Sequence, residues 1–186
     1  MPDVAFINGR FLPWEEATIS IDDRGFQFGD AVYEVIRTYR GTPFEFAAHL
    51  ARLNRSVGEL SLCQPYTKAQ WTRWIQQGLS LAGYQDAKIY IQVTRGVAPR
   101  EHSFPADILP TVVMTIREFH PLAPDVRRTG VSACTREDLR WGRCDIKSVN
   151  LLATVLAREE ARKAGVFEAI LVRDGFVMEG ALSNVM

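Results

Sequence analysis

The chain has 186 residues with 22 basic and 22 acidic side chains, so its formal net charge is zero. This balance argues against a nucleic-acid-binding protein, which usually carries a basic surplus or a basic stripe. The hydrophobic fraction of 47% and the charged fraction of 24% are ordinary for a soluble globular protein. No apolar run approaches the roughly 18 residues that a membrane span requires. The start, MPDVAFINGRF, does not have the pattern of a secretory signal.

Two residue types narrow the possible chemistry. The three cysteines include no CxxC pair, which favours a reducing cytoplasm and argues against a zinc site. The basic residues are 18 arginines and only four lysines, so a reaction that needs a lysine amine has four candidates. These lysines are Lys68, Lys88, Lys147 and Lys163.

Strands and helices alternate in the first part of the chain. Residues 4–11 contain an Asn-Gly pair between extended runs, which predicts a β-hairpin. A second extended run covers residues 33–39, and apolar residues spaced by three and four from Ala47 predict an amphipathic helix. Thr67 and Gly83 are typical first and last signals of a further helix. Strands are predicted over residues 89–94 and 111–116, joined by a loop over residues 96–110.

The second part begins at residues 120–124, where two prolines predict a linker. A strand over residues 130–135 follows, and then a helix ended by Gly165. The expected apolar face of this helix consists of Leu151, Leu152, Val155 and Leu156. A hairpin covers residues 169–178. We therefore expect an α+β fold with mainly antiparallel pairing, in a small domain over residues 1–120 and a second domain over residues 121–186.

The C-terminal residues form an incomplete pattern, because the chain stops at the apolar pair Val185-Met186. Domains more often finish with a polar or frayed tail. We therefore expect the chain to be truncated and the second lobe to be incomplete.

Lys147 is the strongest candidate for covalent chemistry among the four lysines. It lies at a junction before a helix, where partial desolvation lowers the pKa of an amine and favours imine formation. The alternative is a solvated lysine near a helix start. No Ser-His-Asp arrangement and no metal-ligand spacing accompanies it.

Several other polar residues are candidates for binding. Glu179, at a strand end, could hold a protonated ring nitrogen, and Ser183 and Asn184 could bind a phosphate; the alternative is an ordinary turn. Arg52 could hold a phosphate or carboxylate, or could simply face solvent. Arg100 and His102 suit a carboxylate, but a surface loop explains them equally well. Tyr33 is either a core residue or a pocket wall.

Five segments together resemble the class IV pyridoxal-phosphate aminotransferases, and most of all the bacterial D-amino acid transaminases, almost from end to end. They are DRGFQFGDAVYEVIRTYRG, AAHLARL, VTRGVAPREHSFP, DLRWGRCDIKSVNLLATVLAREEA and FEAILVRDGFVMEGALSNV. The loop over residues 95–105 is the specific part. Branched-chain aminotransferases and aminodeoxychorismate lyases share the lysine and glutamate segments but generally not that loop.

The resemblance implies a role for each candidate. Lys147 forms the Schiff base with pyridoxal 5′-phosphate (PLP) and shuttles the substrate proton, and Glu179 pairs with the pyridinium nitrogen. Arg52 holds the phosphate, with Ser183 and Asn184 also at the cofactor. Tyr33, Arg100 and His102 bind the substrate α-carboxylate. This last group implies a homodimer, because in the family the Arg/His loop reaches into the partner subunit's site.

The sequence departs from the family pattern in two places. Leu182 stands where the D-amino acid enzymes tend to have a small hydroxyl residue. Family members also continue beyond Val185 with a helix start whose backbone amides help to bind the phosphate. The expected reaction is transamination between D-alanine-like amino acids and 2-oxo acids such as 2-oxoglutarate. The alternatives are an aminodeoxychorismate lyase, a branched-chain L-amino acid aminotransferase, or an inactive folding or interaction module.

Overall fold

The computed structural model describes residues 3–186, which divide into two compact units. The first unit extends to His120 and also includes Asp145–Val149. The second unit comprises Pro121–Cys144 and Asn150–Met186. The backbone therefore passes between the units three times.

A six-stranded antiparallel sheet forms the first unit, in the order β2-β1-β6-β5-β3-β4. The strands are β1 (Val4–Ile7), β2 (Arg10–Leu12), β3 (Ala31–Tyr39), β4 (Thr42–Pro43), β5 (Ala87–Thr94) and β6 (Val112–Glu118). The predicted hairpin is confirmed, since Asn8 and Gly9 both have positive φ, 48° and 88°, as the tight turn between twisted strands requires.

Three α-helices accompany this sheet in the described residues: α1 (Arg24–Phe28), α2 (Phe46–Glu59) and α3 (Lys68–Ala82), and a short 3-10 helix covers Trp14–Glu16. The second and third contribute Leu53 and Trp71 to a core that also contains Ile36 and Ile91 of the sheet. The predicted start of α3 is confirmed, because the Thr67 hydroxyl accepts a hydrogen bond from Gln70 N. This helix ends at Gly83, as predicted, in the left-handed conformation.

The segment Asp145–Val149 runs along the N-terminal end of β3, whereas β4 pairs with the C-terminal end of that strand. Tyr33 N donates to Lys147 O at 2.9 Å, and Val149 N donates to Ala31 O at 3.1 Å. On the helix side, Lys147 N donates to the Ser56 hydroxyl at 3.2 Å. These bonds fix the backbone of Lys147 between β3 and α2.

The second unit contains a three-stranded sheet in the order β7-β8-β9. Its elements are α4 (Pro124–Thr129), β7 (Ala133–Glu137), α5 (Leu152–Lys163), β8 (Glu168–Arg173) and β9 (Phe176–Gly180). The predicted hairpin is confirmed as β8 and β9, which pair antiparallel, whereas β7 and β8 are parallel. The strand that was expected over residues 130–135 is β7, which covers residues 133–137.

The predicted linker leads directly into α4, which Pro124 begins, because the first helical position needs no backbone N–H donor. One prediction for this unit is wrong. The expected apolar face of α5 is largely exposed: Leu152 is 70% and Leu156 is 56% accessible. Instead Ala157 and Ala161 are buried with the sheet residues Ala169 and Leu171, because small side chains allow close helix–sheet approach.

Candidate active site

Lys147 is half-buried, and its ammonium lies 4.3 Å from the centre of the Tyr33 ring. A cation over an aromatic face is attracted by the negative potential of the ring. The same two residues share the backbone hydrogen bond between Asp145–Val149 and β3. The lysine amine is thus held over the tyrosine by both backbone and side chain, and the structure brings these two predicted site residues together.

A second tyrosine extends the aromatic surface beside Tyr33. The rings of Tyr33 and Tyr90 lie 5.8 Å apart, on the paired strands β3 and β5. The Tyr90 hydroxyl donates to Gln92 Oε1 at 2.5 Å. Burial raises the pKa of Tyr90 to about 12, and the neighbouring Tyr33 adds to the effect. The Tyr90 phenol is therefore neutral at ordinary pH.

Arg52 is bound on one edge by a buried carboxylate that sequence analysis did not identify. The Glu34 side chain is fully buried, and its two oxygens accept from Arg52 Nε at 2.5 Å and Nη2 at 2.9 Å. His49 Nδ1 lies 2.8 Å from the same carboxylate. Arg52 nevertheless keeps 45% of its side chain exposed, and its bonds to Glu34 use Nε and Nη2 but not Nη1.

The Glu34 carboxylate stays ionised in spite of its burial. Burial raises the pKa of Glu34, but the hydrogen bonds and charges of Arg52 and His49 outweigh this effect and hold the pKa below its usual range. In turn, the hydrogen bonds that Arg52 donates to Glu34 raise the pKa of Arg52. One sequence signal could have revealed this residue. Glu34 shares the inward phase of β3 with Val32 and Ile36, where an unpaired charge would be costly.

Arg100 and His102 lie on the loop between β5 and β6, and both are exposed. The structure brings them together at Phe28: the Arg100 guanidinium is 4.9 Å and the His102 ring 5.4 Å from the centre of its ring. Within residues 3–186, no hydrogen bond or ring contact joins either side chain to Tyr33.

Glu179 lies on β9 of the second unit and forms an ion pair with Arg140. Arg140 also donates to both oxygens of the buried Asp138, from Nε at 2.9 Å and from Nη2 at 3.0 Å. Arg173 lies 3.1 Å from the same carboxylate. Hydrogen bonding by Arg140 lowers the pKa of Asp138, and Asp138 in turn raises the pKa of Arg140. Arg140 is therefore a fixed cation beside Glu179, and sequence analysis missed it.

Ser183 and Asn184 follow β9 in different environments. The Ser183 hydroxyl donates to Glu168 Oε2 at 2.7 Å. Glu168 is 4% exposed and also accepts from the backbone N–H groups of Ala169 at 2.9 Å and Leu182 at 3.2 Å. Its carboxylate thus holds the turn over residues 181–183 and takes the hydroxyl proton of Ser183 as a hydrogen bond. Asn184 is exposed.

Glu168→Ala is expected to lower the free energy of unfolding by about 1–3 kcal/mol, because buried donors lose their acceptor. Urea unfolding followed by circular dichroism measures the change. Glu160→Ala is the matched control, since Glu160 forms an ion pair with Arg136 but is 57% exposed, and exposed pairs contribute little. If the two variants lose the same stability, Glu168 does not hold this turn.

Residues 3–186 contain no group of three or more His, Cys, Asp or Glu side chains placed to hold a metal ion. No helix among them has the length and apolar character needed to cross a bilayer.

The family model that describes amino-transferase class IV matches residues 31–186. The chain belongs to the class IV aminotransferases. All eight site residues predicted from the sequence lie within the matched part: Tyr33, Arg52, Arg100, His102, Lys147, Glu179, Ser183 and Asn184. The predicted membership and the α+β class IV architecture are thereby confirmed.

This class IV aminotransferase is similar in sequence to curated D-alanine aminotransferases. It is 44% identical over 179 residues to that of Bacillus licheniformis and 46% identical over 180 residues to that of Staphylococcus haemolyticus. The aligned parts cover 96% and 97% of this chain but 62% and 64% of those proteins. The chain thus spans less than two thirds of the length of these relatives.

Solved structures of branched-chain aminotransferases share the fold. The Escherichia coli enzyme superposes with a TM-score of 0.84 at 22% identity, over 96% of this chain and 61% of that one. The T.th. enzyme, solved with pyridoxamine 5′-phosphate, has a TM-score of 0.84 at 25% identity, over 96% and 62%.

Proposed function

We propose that this class IV aminotransferase moves an amino group between D-amino acids such as D-alanine and 2-oxo acids such as 2-oxoglutarate, with PLP as its cofactor. The observation that carries the proposal is the placement of Lys147, which backbone bonds and the Tyr33 ring hold in one position. The identity of 44–46% with D-alanine aminotransferases supports the D-amino acid substrate. The pyridoxamine 5′-phosphate in the T.th. relative supports the cofactor.

The residues of each unit fit this cofactor chemically. When bound, PLP supplies an electron sink for the carbanion that forms at the substrate Cα. Lys147 provides the amine for covalent attachment and moves the proton at Cα. Nη1 of the Arg52 guanidinium binds the phosphate, while Glu34 holds Nε and Nη2. Glu179 accepts from the pyridinium nitrogen, and its ion pair with Arg140 holds the carboxylate in place.

Ser183 and Asn184 complete the phosphate side of the proposed site. The Ser183 hydroxyl donates to Glu168, so we assign Ser183 to holding the turn. The same bond makes the hydroxyl proton of Ser183 unavailable to the phosphate. The exposed Asn184 amide provides a donor.

The proposed enzyme is a homodimer in which Arg100 and His102 complete the partner's site and bind the substrate α-carboxylate with Tyr33. Support comes from the exposed apolar side chains near this loop: Phe104 is 62% and Leu109 is 83% accessible. We propose residues 1–120 as the small domain, residues 121–186 as part of the cofactor-binding domain, and the cytoplasm as the compartment. The three cysteines are all free thiols, which agrees with a reducing compartment.

D-alanine with 2-oxoglutarate is expected to give a larger kcat/KM than L-leucine with the same acceptor. A coupled pyruvate assay and amino acid chromatography measure the two reactions after addition of PLP. Turnover of L-leucine without D-alanine would identify a branched-chain aminotransferase instead, and turnover of aminodeoxychorismate alone would identify a lyase. If the chain does not bind PLP at all, the result would favour the alternative of an inactive folding or interaction module.

A further inference from the structure

Two arginine side chains and one histidine side chain contact the aromatic ring of Phe28. The guanidinium carbons of Arg24 and Arg100 lie 4.8 Å and 4.9 Å from the ring centre. The His102 ring is tilted by 47° against it at 5.4 Å. Each contact orders a side chain that would otherwise sample several rotamers in solvent. Phe28 therefore fixes the relative position of Arg100 and His102.

Arg24 fixes the backbone beneath these two side chains. It is 3% exposed and donates from Nη1 to Glu101 O at 2.5 Å and from Nη2 to His102 O at 3.4 Å. Its Nε donates to Asp30 at 2.9 Å, and Asp30 also binds Arg95 through both oxygens. The buried Arg24–Asp30–Arg95 group thus ties the loop to the end of β5.

The base of the loop is fixed independently of this ion-pair group. Asp23 is fully buried, caps α1 by accepting from Gly25 N, and accepts from the Thr94 hydroxyl at 3.0 Å. Gly96 has φ +116°, and a Cβ there would lie 2.0 Å from Leu109 O. Only glycine fits this backbone conformation and close approach. The backbone at Gly96 is therefore held in one conformation at the point where the loop leaves β5.

We infer that Phe28 and Arg24 are positioning residues for the binding of a substrate α-carboxylate, because they hold Arg100 and His102 as a preorganised pair. The inference rests on the proposed function, which assigns the carboxylate to these two side chains. A carboxylate that meets an ordered pair loses less free energy to the ordering of side chains than one that must order them itself. The two positioning residues need not touch the substrate.

Phe28→Leu keeps an apolar side chain but removes the aromatic face. In the PLP-loaded protein it is expected to raise the Kd for 2-oxoglutarate, measured by calorimetry, by about three- to tenfold, since the cation–π contacts and the ordering are lost. The KM values of amino acid substrates rise with it, whereas the affinity for PLP is unchanged. The single-turnover rate with ethylamine, which is alanine without its carboxylate, is also unchanged. Phe28→Tyr keeps the ring and restores the wild-type Kd.

Phe44→Leu is the matched control, because Phe44 is an exposed phenylalanine of the same unit that contacts Tyr39 instead. Arg24→Lys is a second variant that keeps the charge but loses the planar guanidinium whose three nitrogens reach Asp30 and both carbonyls, and it is expected to raise the same Kd. Arg100→Ala separates the two hypotheses. If it leaves the Kd unchanged, the carboxylate assignment and the inference both fail. If it raises the Kd while Phe28→Leu and Arg24→Lys do not, only the inference fails. The inference would also be overturned if Phe28→Leu lowered the single-turnover rate with ethylamine by the same factor as it raised the Kd for 2-oxoglutarate.

Discussion

Lys147→Ala is expected to abolish covalent attachment of PLP. It is also expected to lower turnover by about 10²- to 10⁴-fold, which is the range for the loss of a proton-transferring side chain. Lys147 is half-buried beside Tyr33, whereas the other three lysines are exposed on helix ends or on β5. The measurement is the mass added to the protein after PLP and borohydride treatment, mapped to a peptide. The absorbance band of the bound cofactor provides a second measurement.

Lys163→Ala is the control for this experiment. Lys163 is 70% exposed and lies 3.9 Å from Glu159, so the variant removes an amine without touching the site. It is expected to retain both the added mass and the turnover. A cofactor adduct that persists in Lys147→Ala and disappears in Lys163→Ala would refute the assignment of the catalytic lysine.

Glu34→Gln is expected to weaken PLP binding and to lower the free energy of unfolding at pH 7 by about 1–3 kcal/mol. The amide offers one acceptor oxygen where the carboxylate offers two, and its N–H donors then face those of Arg52. Arg52 consequently loses its fixed orientation, and with it the position proposed for binding the phosphate. Titration with PLP measures the first effect, and urea unfolding measures the second.

The stability difference between wild type and Glu34→Gln depends on pH. The pKa of Glu34 in the folded protein lies below the value of about 4.3 for an unperturbed glutamate, so its stabilisation is present above that pH. As the pH falls through the folded-state pKa, the carboxylate protonates and the difference shrinks. Glu45→Gln is the control, since Glu45 is exposed, and it is expected to change neither measurement. A pH-independent difference for Glu34→Gln would mean that its charge is not the cause.

Local sequence signals predicted the elements whose cause is local. The Asn8-Gly9 turn and the Thr67 cap depend on the conformations and hydrogen bonds of a few neighbouring residues, and both are found. The buried side of α5 depends instead on which surfaces lie next to it. Leucines are more hydrophobic than alanines, so the sequence favoured the wrong face of that helix.

The candidate site follows the same division. The type and position of Lys147 and Glu179 are visible in the sequence, and the family resemblance supplied their expected roles. Their supports are not visible: Arg140 is 39 residues from Glu179 in the chain and meets it only after folding. Glu34 and Arg52 likewise meet across β3 and α2. Spacing along a sequence does not predict such pairs, because they depend on tertiary packing.

The lysine-bearing segment has a consequence for any attempt to divide the chain. Because Asp145–Val149 supplies partners for Tyr33 N–H and Ala31 C=O, a fragment that ends at His120 would leave the N-terminal end of β3 without its neighbour on that side. An open strand edge of this kind is a template for pairing between molecules. A fragment that ends at residue 120 would thus tend to aggregate through this strand edge. Only a fragment that also includes residues 145–149 would be suited to study in isolation.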